Sequence, residues 1–224
     1  MYVNEVFHSV QGEGRLAGTP SVFMRTSGCN LRCSWCDSAY TSWEPEGEVM
    51  DTEEVIEEVE KYGCEHIVVT GGEPLLQTDL DEFCSSMSDK HITVETNATV
   101  YEEVEADLIS LSPKLSNSTP DDDSEWAEIH EEERLNFDVI DEWIANYDYQ
   151  LKFVVCDEND LEEIEDILAS LREYDDEKVL LMPEGTDRDT LKERGSWLSR
   201  VCMERGYRYS PRLQVHLYGD KRGT

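Results

Sequence analysis

The stretch 28-GCNLRCSWCDS-38 places three cysteines, Cys29, Cys33 and Cys36, within eight residues in the spacing C-x3-C-x2-C. Three thiolates in one loop can bind three irons of a 4Fe–4S cubane and leave the fourth iron without a protein ligand. An open coordination position of this kind is where a substrate or cofactor binds in a catalytic metal site. The stretch therefore predicts a 4Fe–4S cluster with one iron available for chemistry.

The remaining four cysteines, Cys64, Cys84, Cys156 and Cys202, are scattered along the chain. An odd total of seven, with three crowded into one loop, is not typical of a disulfide framework and indicates metal binding in a reducing compartment. A structural zinc site is an alternative for the crowded cysteines, because Cys64 or His66 could supply a fourth ligand. Plain buried thiols are a second alternative.

Outward from this loop, short apolar runs alternate with segments of helical periodicity. Strands are predicted at 2-YVNEVF-7, near 22–27, 66–70, 91–96, 108–112, 150–155 and 178–182, and from 207, and helices from Asp51 to Gly63, near 76–87, after 100, and at 138–146, 160–172 and 188–205. Repeated strand-then-helix order favours an α/β fold with parallel strands and right-handed crossovers. We expect one domain over residues 1–224, with an acid-rich surface insertion near 116–133.

The charge balance of the chain is strongly negative. It has 19 Lys and Arg against 52 Asp and Glu in 224 residues, a formal net charge of −33, although residues 1–43 are neutral. This field repels polyanions and argues against direct nucleic-acid binding. Acidic faces spread over a folded chain are typical of a salt-rich cytoplasm, where the Debye length falls to about 3 Å at 1 M salt. We therefore predict a halophilic source.

The sequence contains no run of 18 apolar residues that could span a membrane. Met1 leads directly into a strand-like segment, without the basic and apolar regions of a signal peptide. We expect a cytoplasmic protein with no membrane partner.

A second motif, 70-TGGEP-74, follows the predicted strand at 66–70. Two glycines at a strand end allow the backbone to approach a ligand closely. Together with the cysteine loop, this motif resembles the radical S-adenosylmethionine superfamily, in which the corresponding turn holds the methionine amino group of the cofactor. The resemblance implies S-adenosyl-L-methionine as cofactor and a trimmed, partial (β/α) barrel.

Within that superfamily, nearly the whole chain is similar to the 7-carboxy-7-deazaguanine synthase family. The resemblance rests on 7-FHSVQGEG-14, 22-VFMRTSGCNLRCSWCDS-38, 70-TGGEPLLQ-77, 95-ETN-97, 112-SPK-114, 152-KFVV-155, 182-MPEG-185 and 211-PRLQVHLYG-219. It implies conversion of 6-carboxy-5,6,7,8-tetrahydropterin to 7-carboxy-7-deazaguanine with loss of ammonia, on the route to queuosine or archaeosine. It also implies a Mg²⁺ requirement, a homodimer and an electron donor such as flavodoxin or ferredoxin.

The resemblance assigns roles to individual positions. The substrate-binding set is Val10, Gln11, Gly12, Glu13, Arg25 and Thr70, and the cofactor-binding set is Gly72, Glu73, Ser112, Pro113, Lys114, Met182, Pro183, Glu184 and Gly185. A carboxylate and an amide can pair with the donor and acceptor edge of a pterin, and the planar fork of Arg25 suits the substrate carboxylate. Without the family resemblance, the simpler interpretation is that Glu13 and Gln11 belong to a solvated turn and that Arg25 forms an ion pair with an acid.

Three positions depart from the family pattern. Ser38 stands where the family places a Mg²⁺-binding Thr, which keeps the hydroxyl ligand but loses the methyl group that stiffens its rotamer. Ala98 stands where Gly often follows Glu-Thr-Asn, and Gln214 where many members have His. Gln cannot titrate, so any proton-carrying role of that His is absent here or has moved to His216.

Two other function classes remain open at this stage. An activating enzyme for a glycyl-radical partner shares the cluster spacing and the GGEP turn, but it would need a protein-sized opening. A non-enzymatic iron–sulfur electron carrier, or a zinc-stabilised binding module, would not need the GGEP turn.

Overall fold

One mixed β-sheet organises the chain in the computed structural model, which describes residues 1–121 and 123–224. The strands are β1 (Tyr2–Val10), β2 (Pro20–Thr26), β3 (Glu48–Val49), β4 (His66–Gly71), β5 (His91–Thr96), β6 (Leu108–Leu111), β7 (Tyr149–Val155), β8 (Val179–Pro183) and β9 (Arg208–Tyr209). Their order in the sheet is β3-β1-β2-β4-β5-β6-β7-β8-β9. All neighbours from β2 to β9 pair in parallel, whereas β1 is antiparallel to β2 and β3.

The two ends of this strand order, β3 and β9, are both edges, so the sheet is open within the described residues. The partial barrel expected from the sequence is therefore confirmed. Parallel pairing aligns the carboxyl ends of β2, β4, β5 and β6 along one edge of the sheet. In α/β folds this edge carries the ligand site.

The helices are α1 (Ala39–Ser42), α2 (Thr52–Glu60), α3 (Leu80–Ser86), α4 (Ala127–Glu133), α5 (Phe137–Asn146), α6 (Asp160–Ser170), α7 (Arg188–Arg205) and α8 (Leu213–Tyr218). The start of α2 follows its sequence signal, because Asp51 and Glu54 form a reciprocal capping box. The end of α7 does so too, because Gly206 adopts a left-handed conformation with φ of 78°. No helix among the described residues is long and apolar enough to cross a membrane.

The two faces of the sheet bury different kinds of side chain. Ile67 and Val69 of β4 belong to the large core that also contains buried residues of α2, α3, α5, α6 and α7. Val68, between them in sequence, faces the other way and packs with the stacked rings of Phe7 and Phe23, whose centroids are 5.0 Å apart. Side chains alternate across a strand, so this second face is the one that lines the cavities described below.

The short helix expected after residue 100 is wrong, because residues 101–106 have no regular structure. In a helix the carbonyl of Val100 would accept a hydrogen bond from the amide of Val104. Instead, Val100 O accepts from Trp143 Nε1 at 3.0 Å, and Val104 N donates to the Tyr147 hydroxyl at 3.1 Å. Both groups bond to α5 or the residue that follows it, and tertiary contacts thus override the local helical tendency.

Two further segments differ from expectation. The helix expected near 76–87 begins later, at Leu80, because residues Pro74–Leu76 form a separate 3-10 turn capped by Glu73. The last strand is only two residues long, and the chain continues into α8.

The acidic insertion near 116–133 is only partly a surface feature. It comprises a 3-10 turn over Ser116–Ser118 and α4, and both Ser118 and His130 are fully buried. Asp122 of the insertion lies outside the described residues.

Candidate active site

The three clustered cysteines line one cavity at the carboxyl end of β2. Cys29, Cys33 and Cys36 share its walls with Gly72 and Lys114. The Cys29 thiol accepts a hydrogen bond from the Leu31 amide at 3.4 Å, and the Cys36 thiol lies 3.5 Å from the Ser42 hydroxyl. We call this space the cluster cavity.

Burial keeps these thiols protonated while no metal is bound. It raises the pKa of Cys29 to about 12 and that of Cys33 to about 11, and it also raises the pKa of Cys36. Metal ligation requires thiolates, so loading of a cluster releases protons and compensates for desolvation of the sulfurs.

The donor arrangement fits a cubane better than a single ion. Structural zinc needs four ligands around one point, with Zn–S distances of about 2.3 Å. Within residues 1–121 and 123–224, no group of three or more His, Cys, Asp or Glu side chains could hold one metal ion. A cubane instead attaches its thiolates at separate corners. The three converging cysteines therefore suit a 4Fe–4S cluster.

The GGEP turn packs directly against the cysteine loop. A Cβ at Gly72 would lie 2.1 Å from the carbonyl oxygen of Gly28, and one at Gly71 would lie 2.1 Å from that of Thr26. Gly71 also has φ of 131°, a conformation that favours glycine. The turn is bonded to the loop, because Glu73 N donates to Gly28 O at 2.8 Å. Both glycines are thus needed for this close backbone contact.

Glu73 does not line the cluster cavity but lies behind the GGEP turn. It is fully buried, and its carboxylate accepts from Leu75 N at 3.2 Å and Asn97 N at 2.7 Å. Burial raises the pKa of Glu73 to about 7, although these amide donors oppose the shift. Asn97 in turn donates to Asn30 Oδ1 at 2.9 Å and lies 3.9 Å from the Cys29 sulfur. Glu73 therefore positions a residue beside the cysteine loop.

A larger cavity of about 460 Å³ adjoins the cluster cavity, and we call it the substrate cavity. Five residues line both spaces: Asp37, Ser38, Thr70, Gly71 and Glu95. Of the predicted substrate-binding set, Val10, Gln11, Glu13, Arg25 and Thr70 line it. Gly12 lies behind the wall, where a Cβ would collide with the Gln214 side chain.

Glu13 lies at the centre of a buried charge network. It accepts from Lys152 Nζ, from Arg212 Nε at 3.2 Å and from Gln214 Nε2 at 2.8 Å. Although burial alone would raise the pKa of Glu13, Lys152 and Arg212 lower it to about 2. The carboxylate is therefore ionised, and these partners hold it in one orientation.

A second carboxylate, Glu95, faces the same cavity. Its two oxygens accept from Gln11 Nε2 at 3.1 Å and from Thr70 Oγ1 at 2.9 Å. Lys152 Nζ lies 4.0 Å from Glu95 Oε1 and thus connects both carboxylates. Gln11 and Thr70, both predicted from the sequence, orient this group.

Arg25 contacts both an acid and the predicted magnesium ligand. Its Nε donates to Glu5 Oε1 at 2.9 Å and its Nη1 to Ser38 Oγ at 3.3 Å, and its guanidinium carbon lies 5.5 Å from the Phe7 ring centroid. The simpler interpretation, an ion pair with an acid, thus holds alongside a place in the cavity wall. The ion pair presets the guanidinium orientation.

Ser38 connects Arg25 to a further ion pair. Its hydroxyl donates to Asp37 Oδ1 at 3.0 Å, and Asp37 Oδ2 pairs with Arg212. Burial favours the neutral acid, but Arg212 lowers the pKa of Asp37. A hydroxyl beside an ionised carboxylate is a hard oxygen pair of the type that Mg²⁺ prefers.

The predicted cofactor-binding residues divide into two groups. Gly72, Ser112 and Lys114 line the cluster cavity, and Lys114 Nζ donates to Ser112 Oγ at 2.8 Å. Pro113 and the segment 182–185 line neither cavity. Within that segment, Glu184 pairs with Arg194 and Gly185 O accepts from Arg212 Nη1 at 2.7 Å.

The predicted site set omitted Asp37, Glu95, Asn97, Lys152 and Arg212, all of which contact the residues above. Glu95, Asn97, Lys152 and Arg212 lie in the blocks 95-ETN-97, 152-KFVV-155 and 211-PRLQVHLYG-219. An isolated Lys within a predicted buried strand is the available sequence signal, because a buried cation requires a partner.

Comparison with known proteins agrees with this arrangement. The Radical SAM superfamily model matches residues 23–116. A 7-carboxy-7-deazaguanine synthase from Halobacterium salinarum is 47% identical, with 97% of this chain and 90% of the relative aligned. One from Rhodopirellula baltica is 42% identical, over 100% and 89%. The crystal structure of QueE from Escherichia coli matches with a TM-score of 0.66 at 22% identity, covering 93% of this chain and 92% of that one.

Proposed function

Because the chain belongs to the 7-carboxy-7-deazaguanine synthase family of radical SAM enzymes, we propose that it converts 6-carboxy-5,6,7,8-tetrahydropterin to 7-carboxy-7-deazaguanine with loss of ammonia. The family implies a 4Fe–4S cluster and S-adenosyl-L-methionine as cofactors. The observation that carries the proposal is the shared wall between the cluster cavity and the substrate cavity. A cofactor bound at the open iron would thus lie next to the pterin.

Cys29, Cys33 and Cys36 would hold the cluster, and Gly72, Ser112 and Lys114, which line the same cavity, would contact the cofactor. When bound, the cluster and cofactor supply radical chemistry that no side chain can provide. The residues of the chain bind, orient and shield the substrate. Glu73 supports this pocket through Asn97, Pro113 lies between Ser112 and Lys114 in the chain, and Gly185 of the segment 182–185 holds Arg212 in the wall of the substrate cavity.

Glu13, with Gln11 and Glu95, recognises the donor and acceptor edge of the pterin ring. Two carboxylates and an amide offer several acceptors and a donor, which complements a guanidine-like edge. Lys152 and Arg212 keep Glu13 ionised before substrate arrives, and Gln11 and Thr70 fix Glu95. A preorganised wall of this kind limits the ring to one orientation, so that one C–H bond faces the cofactor.

Arg25 binds the substrate carboxylate, and Ser38 with Asp37 would hold Mg²⁺ beside it. The contacts of Arg25 with Glu5 and Ser38 already direct its guanidinium to the cavity wall. Arg25 and Arg212 both line this region and repel a cation, so the negative charge of a bound substrate carboxylate would favour Mg²⁺ at Ser38. Metal binding is therefore coupled to substrate binding.

The remaining assignments concern assembly and environment. The enzyme works as a homodimer, receives electrons from a flavodoxin- or ferredoxin-type donor, and comes from a salt-rich cytoplasm. The net charge of −33 supports the last point, because concentrated salt screens repulsion among surface carboxylates.

The direct test is anaerobic turnover with protein whose cluster has been reconstituted. With S-adenosyl-L-methionine, a chemical reductant, KCl and Mg²⁺, we expect carboxypterin to disappear with equimolar release of ammonia, without net consumption of the cofactor. Omitting the cofactor is the matched control. Iron-loaded protein that cleaves the cofactor but leaves the pterin unchanged would refute this function and favour another radical SAM activity.

A further inference from the structure

The acidic insertion has no role in the function above, yet it packs on the loop that carries the three cysteines. We propose that the insertion, in its described residues 116–121 and 123–133 and with the adjoining Arg134, supports the cysteine loop, and that His130 is the positioning residue that holds this loop in its ligating conformation. The inference rests on the proposed function insofar as that function requires a 4Fe–4S cluster on this loop.

The imidazole of His130 connects the insertion to the loop between the first two cysteines. Its Nδ1 accepts from the backbone N–H of Arg32 at 3.1 Å, and its Nε2 lies 2.9 Å from Ser118 Oγ. The Ser118 hydroxyl donates to Leu115 O at 2.6 Å. His130 Nε2 therefore carries the proton and Nδ1 does not, which leaves Nδ1 free to accept from the loop.

A fully buried histidine rarely lacks a structural reason, and here its environment keeps the ring neutral. Burial lowers the pKa of His130 to about 4, and the Arg134 cation acts in the same direction. The neutral ring that carries its proton on Nε2 is the only form that can accept from Arg32 N and donate to Ser118 Oγ at once. The geometry of the chain from Arg32 to Leu115 thus requires histidine rather than an apolar residue.

Two other contacts hold the second part of the loop, between Cys33 and Cys36. Ser34 N donates to Ser118 O at 2.8 Å, and Trp35 Nε1 donates to Asn117 O at 3.0 Å. The Arg32 guanidinium also lies over the Trp126 ring, 4.2 Å from its centroid. Two backbone amides of the loop, at Arg32 and Ser34, are therefore bonded to the insertion.

The insertion is itself attached to the sheet and to α6. Asn117 Nδ2 donates to Asp160 Oδ2 at 2.8 Å and to Val154 O at 3.2 Å. Arg134 Nη1 donates to Glu163 Oε1 at 2.7 Å and to Lys114 O at 2.9 Å. The loop is thus connected through the insertion to β7, to α6 and to Lys114, which lines the cluster cavity. Ligands held by such supporting contacts keep their geometry.

The test compares two substitutions at His130 that differ in their ability to accept a hydrogen bond. His130→Leu fills the space but cannot accept from Arg32 N, whereas the side-chain amide oxygen introduced by His130→Asn can replace Nδ1 as the acceptor. We expect His130→Leu to lose its cluster in air about tenfold faster than the parent. Changing a group that supports a metal ligand typically lowers metal affinity about 10- to 100-fold, and the expected factor is taken from the lower end of that range. Its reduced cluster should also give an altered EPR spectrum. His130→Asn should recover most of the lifetime and the parental spectrum.

Leu198→Ala serves as the control for a general loss of stability, because Leu198 is fully buried in α7. It should lower the apoprotein melting temperature yet leave cluster lifetime and EPR spectrum unchanged. Trp126→Ala, in which Arg32 loses its stacking partner at a half-buried position, provides a second variant if His130→Leu does not fold, and it should shorten cluster lifetime severalfold.

The failure of this inference and that of the proposed function are distinguishable. Parental cluster lifetime and spectrum in His130→Leu, or in Trp126→Ala if His130→Leu does not fold, overturn the positioning role. The positioning role is also overturned if Leu198→Ala, at the same loss of melting temperature as His130→Leu, shortens cluster lifetime and alters the EPR spectrum to the same extent. A parent protein that binds no iron at all overturns the cluster assignment itself.

Discussion

Glu13 in the substrate cavity and Glu73 behind the cluster cavity have opposite protonation preferences. Glu13, in the substrate cavity, has a pKa lowered to about 2, whereas Glu73, behind the cluster cavity, has one raised to about 7. Burial acts on both in the same direction, toward the neutral acid. Lys152 and Arg212 outweigh it at Glu13, whereas Glu73 has mainly backbone amides as donors.

The difference shows that burial alone does not determine the charge of a site. Two cations next to a carboxylate in a weakly screened environment more than compensate for desolvation. The two backbone amides that donate to Glu73 compensate for its desolvation only in part. The substrate cavity thus presents the ionised Glu13 to a polar ligand, whereas Glu73, behind the cluster cavity, readily takes up a proton near neutral pH.

The largest expected effect concerns the cluster cavity. Replacing Cys33 with Ala, or likewise Cys29 or Cys36, should abolish iron loading and turnover, because two thiolates cannot hold three irons of the cubane. Iron and sulfide per chain after anaerobic reconstitution measure it. Cys84→Ala, a buried thiol on α3, should leave the cluster spectrum intact. Normal loading of Cys33→Ala would contradict the ligand assignment.

In the substrate cavity, Glu13→Gln should destabilise the apoprotein by about 3 kcal/mol at neutral pH, because breaking a buried ion pair leaves cations without compensation. Denaturant unfolding at constant KCl measures the change. The double variant with Lys152→Met should recover part of the loss, since it removes one of the cations as well. A single variant as stable as the parent would mean that the network contributes little.

The contrast between the two glutamates also predicts different pH dependences. The folded-state pKa of Glu73, about 7, exceeds its ordinary value of 4.5, so its contribution to stability is present below 4.5 and lost as pH rises to about 7. Relative to the parent, Glu73→Gln should gain about 3 kcal/mol across that window, at 1.36 kcal/mol per pKa unit. Unfolding free energies measured at fixed KCl from pH 4.5 to 7.5 test this.

Glu13→Gln is the matched control for that experiment. The pKa of Glu13 lies below the ordinary value, so its stability contribution is present above pH 4.5 and lost only as pH falls toward 2. The difference between this variant and the parent should stay constant from pH 4.5 to 7.5. Parallel curves for the parent and Glu73→Gln would show that Glu73 ionises normally.

For Arg25, Lys keeps the charge but loses the planar fork, and turnover of Arg25→Lys should fall about 10- to 100-fold. Cluster content and cofactor binding should change by a smaller factor, because Arg25 lines the substrate cavity and not the cluster cavity. Steady-state turnover beside iron content separates these effects. Parental turnover of carboxypterin by the Lys variant would remove the proposed contact.

The smallest expected effect concerns Mg²⁺. Ser38→Ala should lose the stimulation of turnover by Mg²⁺, whereas Ser38→Thr should keep or strengthen it, because Thr restores a stiffer hydroxyl. Assays at high KCl with and without Mg²⁺ distinguish metal binding from general screening. If Ser38→Ala responds to Mg²⁺ as the parent does, the hydroxyl only bonds to its neighbours Asp37 and Arg25.

Sequence reasoning located the cavities better than their internal contacts. The cysteine spacing, the GGEP turn and most strand and helix positions were predictable, and Gln11, Thr70, Ser112 and Lys114 do line the cavities. The segment 101–106 was not predictable, because its hydrogen-bonding groups bond to Trp143 and Tyr147, about 40 residues later in the chain. The burial of His130 in an acid-rich insertion was equally hidden.

Features that depend on short separations along the chain could be read from the amino-acid order alone: three thiols in one loop, two glycines at a strand end, and alternating strands and helices. Local spacing and backbone conformation decide these before any long-range contact forms. The charge state of the site, in contrast, depends on contacts between distant parts of the chain. Glu13 bonds to Lys152 and Arg212, 139 and 199 residues away, and long-range packing rather than composition selects these partners among many acids and bases.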